Sequence, residues 1–166
     1  MSHELLVVKK GSTRSLFDQL LSECEASTRL ATAFEQKAIK CSCMDNRILF
    51  QKGDPGSRVY LVGAGEVDLI LSLSSTRAVG FRAKAGSLVG LPAAFSKDLY
   101  SMTAVAYRGA ELRVMGREEF CQMVALDPQL SLDVLRILAA ETRAARIAIT
   151  EAGMKQRRKT PGRRRT

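Results

Sequence analysis

The chain has 166 residues, 46% of them hydrophobic, and a single histidine; that is enough for one domain with its own core and too little for a clustered-histidine metal site or a Ser-His or Cys-His catalytic pair. The formal net charge is +9, but the segment from Gly153 onward, GMKQRRKTPGRRRT, holds seven of the 26 basic residues and no acid, which leaves 19 basic against 17 acidic residues, or +2, in the body. No apolar run approaches the roughly 18 residues that span a bilayer, and Leu5-Leu6-Val7-Val8 is followed rather than preceded by lysines, unlike a signal peptide.

A cytoplasmic, non-enzymatic protein is therefore expected, with its high pI confined to an appendage. The only histidine, His3, lies at a terminus. The cysteines agree with that setting. Cys41 and Cys43 are two apart on an expected strand and share a face with Ile39; Cys24 and Cys121 stand alone on helical patterns. With no Cys-x-x-Cys pair, no metal site is expected, and the four thiols read as small buried groups.

In chain order, Ser15-Leu16-Phe17-Asp18 resembles a capping box, and Leu16, Phe17, Leu20, Leu21 and Cys24 then recur at intervals of three and four. Residues 1–27 are expected to form an N-terminal helical segment. A second short helix is expected from Thr28 to Glu35, with Leu30, Ala33 and Phe34 facing inward.

From Ala38 to Met115 the period changes to two. Val67, Leu69, Leu71 and Leu73 alternate with Asp68, Ile70 and Ser72; Val79, Phe81 and Ala83 alternate with Gly80, Arg82 and Lys84. Met102, Ala104 and Ala106 share a face, as do Leu112 and Val114. Gly53-Asp54-Pro55-Gly56, Gly63-Ala64-Gly65, Ala85-Gly86-Ser87 and Arg108-Gly109 separate these runs, a spacing that predicts an antiparallel sandwich or barrel over residues 28–126. Within it, Gly90-Leu91-Pro92-Ala93-Ala94 reads as the start of a short helix. Helix starts favour anions, yet this one offers a leucine, a proline and, further on, Tyr100.

The last third is helical. Glu118 and Glu119 follow Gly116-Arg117 and suit a first helical turn, with Phe120, Met123 and Val124 inward. Asp127-Pro128 is a strong helix start. The helix it opens is expected to run to Ala152, about 38 Å at 1.5 Å per residue, with Gly153 as its stop. Leu130, Val134, Ile137, Ala144 and Ala148 form one apolar stripe; Leu135, Leu138, Thr142, Ala145 and Ile149 form another. A helix covering its own domain needs one stripe. The second predicts a homodimer through residues 127–153, with Val134, Leu135, Leu138, Thr142, Ala145 and Ile149 as its contact residues.

Three fragments standing in order carry a family likeness. Leu49-Phe50-Gln51-Lys52-Gly53-Asp54, then Val59-Tyr60-Leu61-Val62, then Gly65-Glu66-Val67 resemble the signature of cyclic-nucleotide-binding domains, of the catabolite-activator and fumarate-nitrate-regulator branch. The resemblance covers about Leu30 to Gly153. It implies an α+β fold: an antiparallel β-roll (a double-stranded β-helix, jelly-roll or cupin-like), a short cassette helix, a long dimerising C-terminal helix and a ligand pocket inside the roll.

In that family the phosphate-binding cassette reads Gly-x-x-x-Gly-Glu and, further on, Arg-Ser/Thr-Ala. Its Glu holds the ribose hydroxyl and its Arg neutralises the cyclic phosphate. Here Gly86, Gly90 and Ser101 match, while Leu91 stands in the place of the Glu and Tyr100 in the place of the Arg. Pro92 lacks an N–H to donate. The resemblance thus assigns the pocket to Gly86, Val89, Gly90, Leu91, Pro92, Ala93, Tyr100 and Ser101. The C-helix contact to the base falls near Ala145. Each lost charge-assisted contact is worth about 1.5–3 kcal/mol, so losing two predicts about a hundred- to ten-thousand-fold weaker binding of cyclic nucleotide. Lys97 could swing in, although a flexible ammonium is a poor substitute for a guanidinium.

The expected function is accordingly a regulatory or sensor module with another small ligand or none, the altered cassette making either an apolar pocket with one hydroxyl or plain core. A working cyclic AMP or cyclic GMP receptor is the alternative. No cofactor is expected. The thirteen residues Met154–Thr166 are too few for the helix-turn-helix that follows the C-helix in these regulators. As a basic tail, Arg157, Arg158, Lys159, Arg163, Arg164 and Arg165 could hold nucleic-acid phosphates without reading sequence, or residues 154–166 could form a disordered solvating end.

Overall fold

The computed structural model describes residues 4–7, 22–75 and 77–159. Among these residues nine strands form two sheets: β1 (Glu4–Val7), β2 (Ile39–Ser42), β3 (Arg47–Phe50), β4 (Arg58–Ala64), β5 (Glu66–Ser74), β6 (Arg77–Lys84), β7 (Leu88–Val89), β8 (Thr103–Ala106) and β9 (Glu111–Gly116). One sheet has the order β1-β6-β5-β8-β3 and the other β2-β9-β4-β7. All pairings are antiparallel except that of β1 with β6. Among the described residues four helices accompany them: α1 (Thr28–Lys37), α2 (Leu91–Ser96), α3 (Arg117–Ala125) and α4 (Pro128–Lys159). This is an α+β fold, an antiparallel β-roll with a short cassette helix and a long C-terminal helix. The described residues contain no helix-turn-helix, and among them no helix is long and apolar enough to cross a membrane.

The roll is filled from inside and covered from outside, and β4 belongs to both layers. Val59 and Leu61 face the helices, where they join Leu30 and Phe34 of α1, Phe120 of α3 and Leu130 and Ile137 of α4. Tyr60 and Val62 face the roll interior with Phe50, Val67, Val89 and Leu112. A strand buried on both faces reads as a continuous apolar run, which is why Val59-Tyr60-Leu61-Val62 shows no alternation. Ser27 ties the helical layer together. Its hydroxyl accepts from the Leu30 N–H as the α1 cap and donates to Asp133 of α4 at 2.5 Å.

Three expectations meet a different structure, and a fourth falls outside the described residues. Residues 4–7 are a strand rather than part of a helical segment, adding in parallel to the β6 edge; a short apolar run cannot be assigned by periodicity alone. The proposed capping box at Ser15–Asp18, with Leu16, Phe17, Leu20 and Leu21, lies outside the described residues. Ile39 is 76% exposed, because β2 is an edge strand, and Cys41 and Cys121 are only half-buried. Gly153 does not stop the last helix, which continues to Lys159. It lacks the left-handed φ of a helix-ending glycine, and a glycine inside a helix costs only about 1 kcal/mol relative to alanine.

Candidate functional site

A cavity of about 460 Å³ opens between the roll and α4. Leu69 of β5, Phe81 of β6, the start of α2, the segment Tyr100–Met102 and the Leu138–Ala145 stretch of α4 converge on it, with Cys24 and Glu25 at one side. A void of this size takes a small organic molecule. The pocket has therefore not collapsed.

The Gly53-Asp54 turn positions one wall. The Gly53 N–H donates to the Tyr100 carbonyl at 2.8 Å, and the Tyr100 N–H donates to the Asp54 carbonyl at 2.9 Å. The start of α2 forms another wall, brought close by two glycines. A Cβ on Gly56 would meet the Ala93 Cβ and the Asp98 carbonyl at 2.6 Å. Gly90 has φ +95°, and a Cβ there would lie 2.9 Å from the Arg58 carbonyl and 3.3 Å from the Tyr100 ring. Only glycine suits such a backbone.

Tyr100 is placed by stacking and by its own hydrogen bonds. Its ring lies on Phe50, with centroids 3.7 Å apart and planes 12° from parallel. Its hydroxyl accepts from the Arg58 N–H at 3.0 Å and donates to the Arg58 carbonyl at 2.7 Å. Burial pushes its pKa above the ordinary phenol range. The expected pocket hydroxyl is therefore already occupied by backbone. Tyr100→Phe should lower stability by about 1–2 kcal/mol through those two unpaired groups, read as a shifted urea midpoint at constant slope.

The predicted pocket residues separate into two groups. Gly90, Pro92, Ala93, Tyr100 and Ser101 line the cavity. Gly86, Val89 and Leu91 do not. Gly86 bonds backbone to backbone with Ala26 and Val62, and Val89 packs inside the roll. Leu91 is 0% exposed and points into the core between helices and sheet. Its side chain thus leaves the site in which a carboxylate would be needed. Lys97 does not substitute for a lost cation. It ends α2 in a left-handed conformation, on the side of Cys121, whose thiol is raised by burial and lowered by Arg117 and Lys97.

Periodicity missed the charged residues of the cavity. Arg82 lines it, but its guanidinium is held by Asp68 at 2.8 Å and by Glu66 at 3.2 Å, and lies 5.3 Å from the Tyr107 ring centre. Burial works against the Asp68 carboxylate, yet the hydrogen bonds from Arg82 and Tyr107 keep it below the usual range. Glu141 of α4 also lines the cavity, and burial pushes its carboxyl from 4.5 up to about 7. The signal for Glu141 was present in the sequence: it lies three residues after Leu138 and four before Ala145, in the middle of the second stripe.

That stripe has two roles in the structure. Leu138, Thr142 and Ala145 line the cavity, whereas Leu135 is 60% and Ile149 45% exposed. Val134 is no contact residue for a second copy. It is 2% exposed and packs in the chain's own core beside Leu130 and Ile137. Arg163, Arg164 and Arg165 lie outside the described residues, as do the side chains of Arg157, Arg158 and Lys159.

The family model for the cyclic nucleotide-binding domain matches residues 41–127, 87 of the 166 residues. Among solved structures, the catabolite activator protein of Thermus thermophilus superposes with a TM-score of 0.65 at 20% identity, over 76% of this chain and 60% of that one. This chain thus spans less than two thirds of that protein's length. A cyclic nucleotide-binding domain from Methylobacillus flagellatus matches with a TM-score of 0.64 at 22% identity, over 92% and 88% of the two chains. The c-di-GMP-responsive global regulator of Xanthomonas campestris matches with a TM-score of 0.57 at 22% identity, over 80% and 64%. No curated protein sequence matches the chain.

Proposed function

The chain belongs to the cyclic nucleotide-binding domain family, and from that premise we propose that it is a non-enzymatic regulatory or sensor module whose cavity has lost the charged contacts to a cyclic phosphate. The position of Tyr100 carries this reading. It occupies the place of the phosphate-neutralising arginine, stacked on Phe50 with its hydroxyl spent on Arg58. Leu91 turns out of the site, and Arg82 is tied to two carboxylates. A cyclic phosphate entering here would surrender its hydration without compensation. The open cavity supports a small-molecule ligand of another kind; one neighbour of the fold is described as responsive to c-di-GMP.

Calorimetric titration with cyclic AMP and with cyclic GMP tests this. Binding is expected to be weaker than about 10 μM, roughly −7 kcal/mol. A tighter complex would show that other groups have replaced the lost charges.

The exposed half of the second α4 stripe supports self-association. Leu135 and Ile149 remain open in the single chain while their neighbours line the cavity, so pairing two α4 helices would cover apolar surface and place a second copy beside the ligand site. Light scattering at micromolar concentration should give a dimer. Leu135→Asp should weaken it by about 2–4 kcal/mol, as central interface residues do, giving a monomer at the same concentration. A wild-type monomer would sink the proposal.

A further inference from the structure

The cavity is lined mostly by apolar residues and by four charged ones, Glu25, Arg82, Lys84 and Glu141, of which Glu141, on the α4 wall, is half-buried and the other three are exposed. Glu141 makes no hydrogen bond or ion pair to any described residue. No buried side-chain nitrogen or oxygen among the described residues lacks a hydrogen-bond partner, so this unpartnered carboxyl reaches accessible space, and the space it lines is the cavity. Of the nearby cations, two are paired and one is exposed. Arg143, on the same helix, pairs with Glu23 at 2.5 Å. Arg82 is held by Asp68 and Glu66. Lys84 is exposed, as is Glu25 beside it on the cavity wall. The Cys24 thiol is pushed up to about 12, by burial first and by Glu141 next, and stays neutral. The Thr142 hydroxyl donates to the Leu138 carbonyl.

A carboxylate that is only partly hydrated and has no partner is less favourable than one in bulk water, and removing it would cost the fold nothing visible in its contacts. A ligand that brings a cation relieves that penalty; an anionic ligand adds repulsion. The remaining walls, Phe50, Leu69, Phe81, Met102 and Ala145, suit a flat apolar body. Resting on the reading of this cavity as a ligand site without phosphate contacts, we infer that it takes a largely apolar small molecule carrying a protonated nitrogen, which pairs with Glu141.

Three isosteric probes of different charge test the inference on the full-length protein: benzamidine, benzamide and benzoate, titrated by ligand-observed NMR at pH 6 and pH 8. Benzamidine should bind most tightly and benzoate least. Because the carboxyl titrates near 7, its ionised fraction rises about tenfold between pH 6 and pH 8, and benzamidine affinity should follow it. Glu141→Gln should weaken benzamidine at least tenfold, abolish the pH dependence and leave benzamide unchanged. Equal binding of benzamidine and benzoate, or benzamidine binding unaffected by Glu141→Gln, overturns the inference. The same samples titrated with cyclic AMP separate the two readings. Tight cyclic AMP binding refutes the loss of phosphate contacts, whereas absence of both cyclic AMP and benzamidine binding refutes the cationic ligand alone.

Discussion

Leu91→Glu is expected to destabilise the protein by about 4 kcal/mol or more, instead of restoring the ribose contact that the cassette pattern implies for this position. Leu91 is fully buried among Leu30, Phe34, Val59, Met115 and Phe120. Truncating such a leucine to alanine already costs about 2–5 kcal/mol. A glutamate adds the penalty of an unpaired buried carboxyl. In a domain of this size each 1 kcal/mol moves the melting temperature by roughly 2–4 °C, so thermal unfolding should shift by at least about 8 °C, or the protein should fail to fold. A variant that melts with the wild type and gains cyclic AMP binding would mean that residue 91 can swing to the cavity.

The second large effect is expected at Glu141, with the opposite sign. Its carboxyl titrates at about 7 in the folded protein against 4.5 unfolded. The folded state therefore prefers the protonated form. Stability is intact below the unfolded pKa, is lost as pH rises from about 4.5 to 7, and stays at its reduced level above that. The shift corresponds to about 2–3 kcal/mol between pH 5 and pH 8, at 1.36 kcal/mol per unit. Glu141→Gln removes the titration. It should stabilise the protein by about 3 kcal/mol at pH 8 and by about 1 kcal/mol at pH 5, in urea unfolding at both pH values. A constant difference between variant and wild type would show that Glu141 is solvated in the native state.

Such a gain would also bear on function. Groups that weaken a fold are found preferentially where ligands bind. Oppositely, Tyr100 strengthens the native state where relatives hold a ligand. Its stacking on Phe50 and its two bonds to Arg58 make it core packing, which supports the proposal that the cavity takes another ligand.

The strand and helix pattern was open to reading from residues alone because the roll alternates with period two and the helices with period 3.6. Val67, Val79, Phe81 and Ala83 are buried as their alternation requires, and so are Leu30, Phe34, Phe120 and the Leu130-to-Ala148 stripe. Turn glycines such as Gly53, Gly65 and Gly90 have the positive φ that only their missing Cβ makes comfortable. Matching Leu91 and Tyr100 to the cassette pattern marked a candidate site along the chain, since spacing is a property of sequence.

Where those side chains point depended on residues far away. Leu91 turns into the helical core because Leu30, Phe34 and Phe120 offer it more buried apolar surface than the cavity does. The Tyr100 hydroxyl finds Arg58, 42 positions earlier. The β1 strand required an open β6 edge some seventy positions later, and no local period announces an edge. Glu141 has its place within the second α4 stripe from the sequence, but its lack of a partner is set only where β5, β6, α2 and α4 meet. Sequence by itself determined the periods, the turns and the family pattern, because these are set by neighbours within a few residues. Only the tertiary structure decided which polar groups are partnered and which are left facing empty space, because that balance is struck among elements brought together by folding.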